Sequence, residues 1–408
     1  MRFFYKFIAS FLCVSLLVGG CWIVRAEQTS GVATENPEVD VNEPLDAESA
    51  PVLSAADLQI TSKSAILIEQ ASGKIIYEHN SHEKLSPASV TKIMSLLLVM
   101  EALERGDITL DTMVTTSPHA AGKGGSQIWL KEGEQMNVND LLKATVIASA
   151  NDATTALAEA VAGSEETFVG MMNERAAQLG MNDTTFKNCT GLDADGHLTS
   201  AYDISIMSRE LLAHKLITDY STVWMDTLRD GKSELVNTNK LVRFYEGTTG
   251  LKTGTTSKAG YCLSASATRE NLSLIAVVMD SPSSKVRFNE ARELLSFGFA
   301  NFTCVKVDLP EKLEDVKVTG GMCDTVPVKI EGTVEVVLEK IKKDTVSTEI
   351  VLPESINAPI EKGQPIGECI VKSEDKEIAR IKILADDSVG KMTFGKAFLT
   401  LLKQMAVI

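Results

Sequence analysis

Apolar and polar positions divide the chain into stretches of distinct texture. Arg2 and Lys6 precede an apolar run over residues 7–18, and Val24-Arg25-Ala26 supplies a small-residue cleavage site, so residues 1–26 read as a secretory signal. Gly19-Gly20-Cys21 is a lipoprotein alternative, although the residues before Cys21 fit that pattern poorly. An uncleaved anchor is the third variant, because the run nearly reaches membrane length. All three place the bulk of the chain outside the cytoplasm. Residues 27–57 carry eight carboxylates and no Lys or Arg, with prolines at 37, 44 and 51, which predicts a disordered acidic tether.

Periodic elements begin near Ser62. Apolar stretches at 65–69 and 74–77 flank Ala71-Ser72-Gly73 and predict a β-hairpin. From Pro87 to Gly106 the apolar residues cover nearly every side of the helical wheel, so a centrally buried helix is expected, started by Pro87 and stopped by Gly106. A second apolar helix spans 138–147 and is broken by Ser149-Ala150-Asn151-Asp152. A third follows over 153–162, with Asn151 or Asp152 as N-cap, and a fourth over 168–179 ends at Gly180. Residues 261–268 and 272–279 form a second hairpin around Arg269-Glu270-Asn271, and a helix is expected over 286–297. Strands at both ends of a mostly helical segment predict one sheet built from N- and C-terminal pieces, with the helices packed across it.

After residue 302 short strand signals at 326–330, 334–336, 350–352 and 378–383 predict a small all-β domain. Residues 391–408 contain no carboxylate; Phe394, Phe398, Leu401, Leu402 and Met405 share one helical face, opposite Lys396 and Lys403. That pattern predicts an interfacial membrane helix, with docking on the β domain as the alternative. The organisation expected is therefore signal 1–26, tether 27–57, an α/β (α+β) domain 58–302, an all-β domain 303–390 and a terminal amphipathic helix 391–408.

Composition narrows the function. A net charge of −15 argues against a basic nucleic-acid surface. Seven cysteines without paired spacing imply no disulfide framework or zinc site, and five scattered histidines give metal chemistry no foothold. Asp193-Ala194-Asp195-Gly196 lacks the remaining ligands of a calcium loop. No cofactor is expected.

Three short motifs remain. Ser89 and Lys92 stand three residues apart at the start of the buried helix, which puts both side chains on one face. An unprotonated Lys92 amine there can accept the Ser89 hydroxyl proton. Ser149-x-Asn151 follows 60 residues later, and Lys252-Thr253-Gly254 another 103 on. Each motif alone is weak, and Ser149 and Asn151 alone read as helix punctuation. Their order and their placement at a helix start, an inter-helix turn and a strand make a chance match improbable. The trio is the one known from penicillin-binding proteins and class A β-lactamases.

Pro87-Ala88-Ser89-Val90-Thr91-Lys92-Ile93-Met94, Ala148-Ser149-Ala150-Asn151-Asp152-Ala153 and Gly250-Leu251-Lys252-Thr253-Gly254-Thr255-Thr256 together resemble one family. It is the low-molecular-mass penicillin-binding proteins that act as D-alanyl-D-alanine carboxypeptidases. Gly191-Leu192-Asp193, Ser208-Arg209 and the stretch from Lys285 to Glu290 resemble it too, so the likeness is strong over roughly 60–300. The resemblance implies a β-lactamase/transpeptidase-like fold and a set of roles. Ser89 is the nucleophile and Lys92 its base, while Ser149 bonds one or both lysines and relays a proton. Asn151 orients Lys92 and substrate, and Lys252 and Thr253 meet the substrate carboxylate. Gly254 admits the substrate to the strand, Thr255 and Ser89 N–H groups form the oxyanion hole, and Arg287 helps hold the carboxylate. Thr238 stands where some relatives carry a basic residue. The partners implied are peptidoglycan stem peptides, β-lactam antibiotics as covalent inhibitors, and the outer surface of the cytoplasmic membrane. The rivals are a β-lactamase, disfavoured because Glu165 and Glu166 lie too close after Asn151 for a Glu-x-x-Leu-Asn element; a cross-bridge endopeptidase; and a non-catalytic β-lactam sensor.

Overall fold

The computed structural model describes residues 54–405 apart from 311 and 333. The signal and nearly all of the acidic tether read from the sequence lie outside the described residues. The tether's last three residues form a 3-10 turn, Ala55–Asp57, capped by Ser54.

The centre is a five-stranded antiparallel sheet in the order Ile75–His79, Ser64–Glu69, Leu272–Ser281, Gly260–Arg269, Thr248–Thr256. The N-terminal hairpin joins the C-terminal strands in the register Ser64 opposite Met279 through Glu69 opposite Leu274. Every residue of Ser64–Glu69 is buried, because helices cover both faces of the sheet. Alternation along the strand feeds two cores. Ile66 and Ile68 pack with the helical segment of residues 92–217, whereas Ala65 and Leu67 pack with Phe288, Leu294 and Leu295 of the Ser284–Asn301 helix.

The central helix runs Lys92–Arg105 behind a 3-10 turn, Ala88–Thr91, and stops at Gly106 with φ 77°. Its residues Ile93, Met94, Leu97 and Ala102 are inaccessible to solvent, as the all-round apolar pattern requires. Val138–Ile147 forms as expected, capped by the Asn137 side chain on Asp140 N–H. The following helix corrects the sequence reading. It spans Asn151–Ala162 and its N-cap is Ala150, so Asn151 and Asp152 lie inside the helix. Both side chains are committed elsewhere: Asn151 to Lys92, and Asp152 to the N–H groups of Ile128 and Leu130. The next helix starts earlier than its apolar pattern, at Glu165–Gln178, because Ser164 caps Thr167 N–H.

Beyond Phe302 the chain is β-structured, with a four-stranded sheet ordered Val328–Ile330, Lys376–Ala385, Pro365–Ser373, Val346–Val351. Val316–Thr319 lies between Thr325–Val326 and Ser355–Asn357, and Phe302–Lys306 pairs with Glu335–Glu339. Val326, Cys369, Ile383 and Ala385 form its core. Lys74 Nζ donates to Val337 O at 2.7 Å and Lys340 Nζ to Phe299 O at 2.7 Å, tying this part to the first. The described chain ends in the Phe394–Met405 helix.

Candidate active site

The Ala88–Thr91 turn delivers Ser89 half-buried at the head of the central helix. Ala88 takes φ 49°, a left-handed conformation that an L-residue keeps only when its surroundings enforce it. Two glycines do so. A β-carbon on Gly191 would lie 1.8 Å from Ala88 O, and one on Gly254 would lie 2.9 Å from Pro87 O and from the N atoms of Ser89 and Val90. The glycine of Lys252-Thr253-Gly254 is therefore required by the protein itself, because the nucleophile turn presses on the strand there. Substrate approach was the reason the sequence suggested.

Lys92, first residue of the α-helix, has no solvent-accessible surface. Its Nζ has three neighbours: Ser89 Oγ at 2.9 Å, Asn151 Oδ1 at 2.6 Å and Thr190 O at 2.8 Å. Asn151 is held from its other end, its Nδ2 donating to Gly124 O at 2.7 Å and its backbone N–H to Ser126 O at 2.7 Å. Burial drives the Lys92 amine down to about 7, and the Asp152 carboxylate opposes that shift.

Lys252 lies in the edge strand Thr248–Thr256, 1% exposed, with Nζ donating to Thr253 O at 3.0 Å. Burial lowers its amine well below the ordinary lysine value, and the Lys92 and Arg287 charges push the same way. Thr253 Oγ1 donates to Thr238 Oγ1 at 2.7 Å, so the neutral residue at that position caps the motif's hydroxyl. Arg287 is buried. Its Nη1 donates to Gly254 O, Thr255 Oγ1 and Cys262 O at 3.0, 2.9 and 3.3 Å, which ties the end of the motif strand to the Ser284–Asn301 helix. Burial lowers the guanidinium to about 10, still protonated at neutral pH.

Ser149 sits between two helices with φ 60° and is 4% exposed. Among the described residues its hydroxyl bonds neither lysine, contrary to the expectation from the resemblance. The reason is geometric: Ser89, Asn151 and Thr190 already surround the Lys92 amine, and Lys252 turns to its neighbour's carbonyl. Thr190 O had no signal in the sequence, since a backbone acceptor is available from any residue type. His197 braces the turn from behind. It is 2% exposed, kept neutral by burial that lowers it to about 4, and its Nε2 lies 2.9 Å from Thr91 Oγ1.

A half-buried serine bonded to a buried lysine, with a second buried lysine on the edge strand, has the composition of a serine acyltransfer site, and comparison with known proteins places the chain in a family. Residues 50–283 match the family model for D-alanyl-D-alanine carboxypeptidase, and residues 306–391 match the C-terminal domain of penicillin-binding protein 5. The chain is 42% identical over 354 residues to the D-alanyl-D-alanine carboxypeptidase DacF of Bacillus subtilis, covering 86% of this chain and 90% of that one. It is similar to the crystal structure of penicillin-binding protein 5 from Haemophilus influenzae, with a TM-score of 0.75 and 32% identity over 82% of this chain and 98% of that one. Penicillin-binding protein D2 of Listeria monocytogenes in its ampicillin-bound form is also similar, at a TM-score of 0.55 and 29% identity over 60% of this chain and 99% of that one. The chain belongs to the D-alanyl-D-alanine carboxypeptidase family of serine peptidases. Its fold is the α+β catalytic fold of penicillin-binding protein 5 followed by a β domain.

Proposed function

We infer that the protein removes the terminal D-alanine from peptidoglycan stem peptides through an acyl-enzyme on Ser89. The observation that carries this reading is the coordination of Lys92. A neutral amine has two N–H donors and one lone pair. Asn151 Oδ1 and Thr190 O take the two donors, which leaves the lone pair for the third neighbour, Ser89 Oγ. Three oxygens would suit an ammonium equally well, and it is burial, which lowers the amine to about 7, that supplies the deprotonated form a base needs.

In the first step Ser89 Oγ bonds the carbonyl carbon between the two D-alanines as its proton passes to Lys92 Nζ. The backbone N–H groups of Ser89 and Thr255 meet the oxyanion, a contribution of about 3–4 kcal/mol per donor in serine enzymes. The C–N bond then breaks, and D-alanine leaves with the proton returned from Lys92. By the role the resemblance implies, Ser149 relays it, which requires its hydroxyl to turn to a lysine that it does not bond in the structure. Water releases the shortened peptide by the same path in reverse. The substrate's terminal carboxylate lies against Lys252 and Thr253, and its charge holds the proton on Lys252. Arg287 steadies this end of the strand through Thr255. β-Lactams enter by the same first step, and their leaving group stays tethered. Glu165 is bound by three partners and gives no sign of the water-activating role a β-lactamase needs.

Organisation follows as part of the proposal. The signal exports the chain, the segments 58–302 and 303–390 act as catalytic and β domains, and the terminal helix lies in the outer face of the cytoplasmic membrane. Phe394, Phe398 and Met405 support this last point: they are 86%, 54% and 73% exposed, and the two phenylalanine rings stack with centroids 6.5 Å apart. Among the described residues no helix is long and apolar enough to cross a membrane.

The test is D-alanine release from a short peptide ending in D-Ala-D-Ala, run beside a fluorescent penicillin label and Ser89→Ala. Release and stable labelling, both lost in Ser89→Ala, are expected. Labelling without release would replace this reading with an endopeptidase or a sensor, and rapid loss of label with hydrolysed penicillin would replace it with a β-lactamase.

A further inference from the structure

We propose that Glu165 is a positioning residue for this reaction, a single carboxylate that fixes both hydrogen-bond acceptors of Lys92; the proposal rests on the Ser89–Lys92 reading above. Glu165 opens the Glu165–Gln178 helix, and its side chain is 12% exposed. Its two oxygens serve two different loops. Oε2 accepts from Lys123 Nζ at 2.5 Å and from His119 Nε2 at 2.6 Å. Oε1 accepts from Cys189 N at 3.1 Å and Cys189 Sγ at 3.2 Å.

Each loop presents, one residue further on, a group that holds Lys92. After Lys123, Gly124 O accepts from Asn151 Nδ2, and Asn151 Oδ1 accepts from Lys92. After Cys189, Thr190 O accepts from Lys92 directly. Asn188 Oδ1 fixes the same loop from its other side through the N–H groups of Thr190 and Gly191 at 3.2 and 2.7 Å. The direction of the Lys92 lone pair is set by where its two acceptors stand, so the carboxylate that anchors both loops aims the base at Ser89. Burial alone would raise the Glu165 carboxyl, but its bonds to Lys123, His119 and Cys189 hold it at about 2. The clamp is therefore ionised across the working range.

A plain structural ion pair would make a different prediction. Its loss would lower the amount of folded, labelled protein and leave the rate of each folded molecule unchanged. The experiment measures, on the full-length protein in detergent, the second-order rate constant for acylation by fluorescent penicillin together with the labelled fraction at saturation. Glu165→Ala is expected to slow acylation about 100-fold, the scale of an ångström-sized misplacement, with saturation labelling retained. Glu165→Gln keeps an oxygen for Cys189 N–H and should lie between the two. Lys123→Met should also slow acylation, and the double variant Lys123→Met/Glu165→Ala should be no slower than Glu165→Ala alone, because both act through one clamp. Should Glu165→Ala fail to fold, the Gln and Met variants carry the test. Variants acylating within twofold of wild type, or single effects that multiply in the double variant, would overturn the proposal while wild-type acylation leaves the Ser89–Lys92 reading intact. A wild-type protein that is not acylated at Ser89 would overturn both.

Discussion

Lowering the pH from 8 to 5 acts most directly on the base proposed here. Burial brings the Lys92 amine down to about 7, so its neutral fraction is about nine-tenths at pH 8, about half at pH 7 and about one-hundredth at pH 5. If neutral Lys92 takes the Ser89 proton, the second-order acylation constant falls by about 100-fold between pH 8 and pH 5, tenfold per unit below pH 6. Burial, Lys92 and Arg287 lower Lys252 as well, so the two amines titrate as a pair. Loss of the remaining proton removes the cation that meets the ligand carboxylate, which adds a falling limb at higher pH. The assay is the rate of fluorescent-penicillin labelling at sub-saturating ligand, across buffers from pH 5 to 10. A change of less than about fivefold between pH 5 and 8, or a rising limb centred above pH 9 as for an ordinary lysine, would refute the argument.

Four further outcomes follow from the same geometry. The folded value of Lys92, about 7, lies below the ordinary 10.5, so the unfolded chain binds more protons between those values and stability rises with pH through that window. Lys92→Met removes that term, on the order of 5 kcal/mol in full, so urea unfolding at pH 7 and pH 10 should show a shallower rise than wild type, with labelling abolished. Gly191→Ala places a β-carbon 1.8 Å from Ala88 O at a residue with φ 87°, and should cost several kcal/mol in denaturant unfolding, about 2–4, along with penicillin labelling. Arg287→Lys shortens the side chain by one atom and withdraws the single nitrogen, Nη1, that reaches three oxygens, and should raise KM for a D-Ala-D-Ala peptide about tenfold with a smaller change in kcat. Removing residues 391–408 should abolish co-sedimentation with anionic vesicles while leaving D-alanine release in solution within about twofold.

Much of the fold was legible because its elements carry their own punctuation. Gly106 and Gly180 mark helix ends with positive φ, and the turns at 71–73 and 269–271 mark the hairpins that build the sheet. Strands were missed where the pattern is weak. Pro365–Ser373 begins with Pro365 and Gly367, and Val316–Thr319 sends Lys317 and Thr319 to solvent over only four residues. At the site, side-chain chemistry was legible and support was not. Ser89, Lys92, Asn151, Lys252 and Arg287 converge through contacts made within a few residues of the motif strand and the nucleophile turn. Thr190 acts through a carbonyl that every residue has. Glu165 entered the sequence reading only as a carboxylate too close after Asn151 for a β-lactamase element, and only the folded chain brings it to Lys123 and Cys189, 42 and 24 residues away.

The buried basic groups bear on how the proposed site would select an anion. Lys92, Lys252 and Arg287 are each at most 1% exposed, and their hydrogen bonds go to neutral oxygens: Asn151 and Thr190 for the first, Thr253 for the second, and Gly254, Thr255 and Cys262 for the third. Asp152, the buried carboxylate nearest in sequence to Asn151, is occupied by the N–H groups of Ile128 and Leu130. Among the described residues none of the three forms an ion pair with a carboxylate, so they are costly to keep protonated, and burial lowers the proton affinity of both lysines. Under the proposed mechanism, a ligand that brings its own carboxylate to Lys252 would restore one of those protons and leave Lys92 the neutral member. On the roles proposed above, the charge that anchors the substrate would also be the charge that keeps the base ready, although the chain as a whole carries −15. An amidated peptide, lacking that carboxylate, should lose in kcat as well as in KM; a loss confined to KM would separate anchoring from activation and sink this coupling.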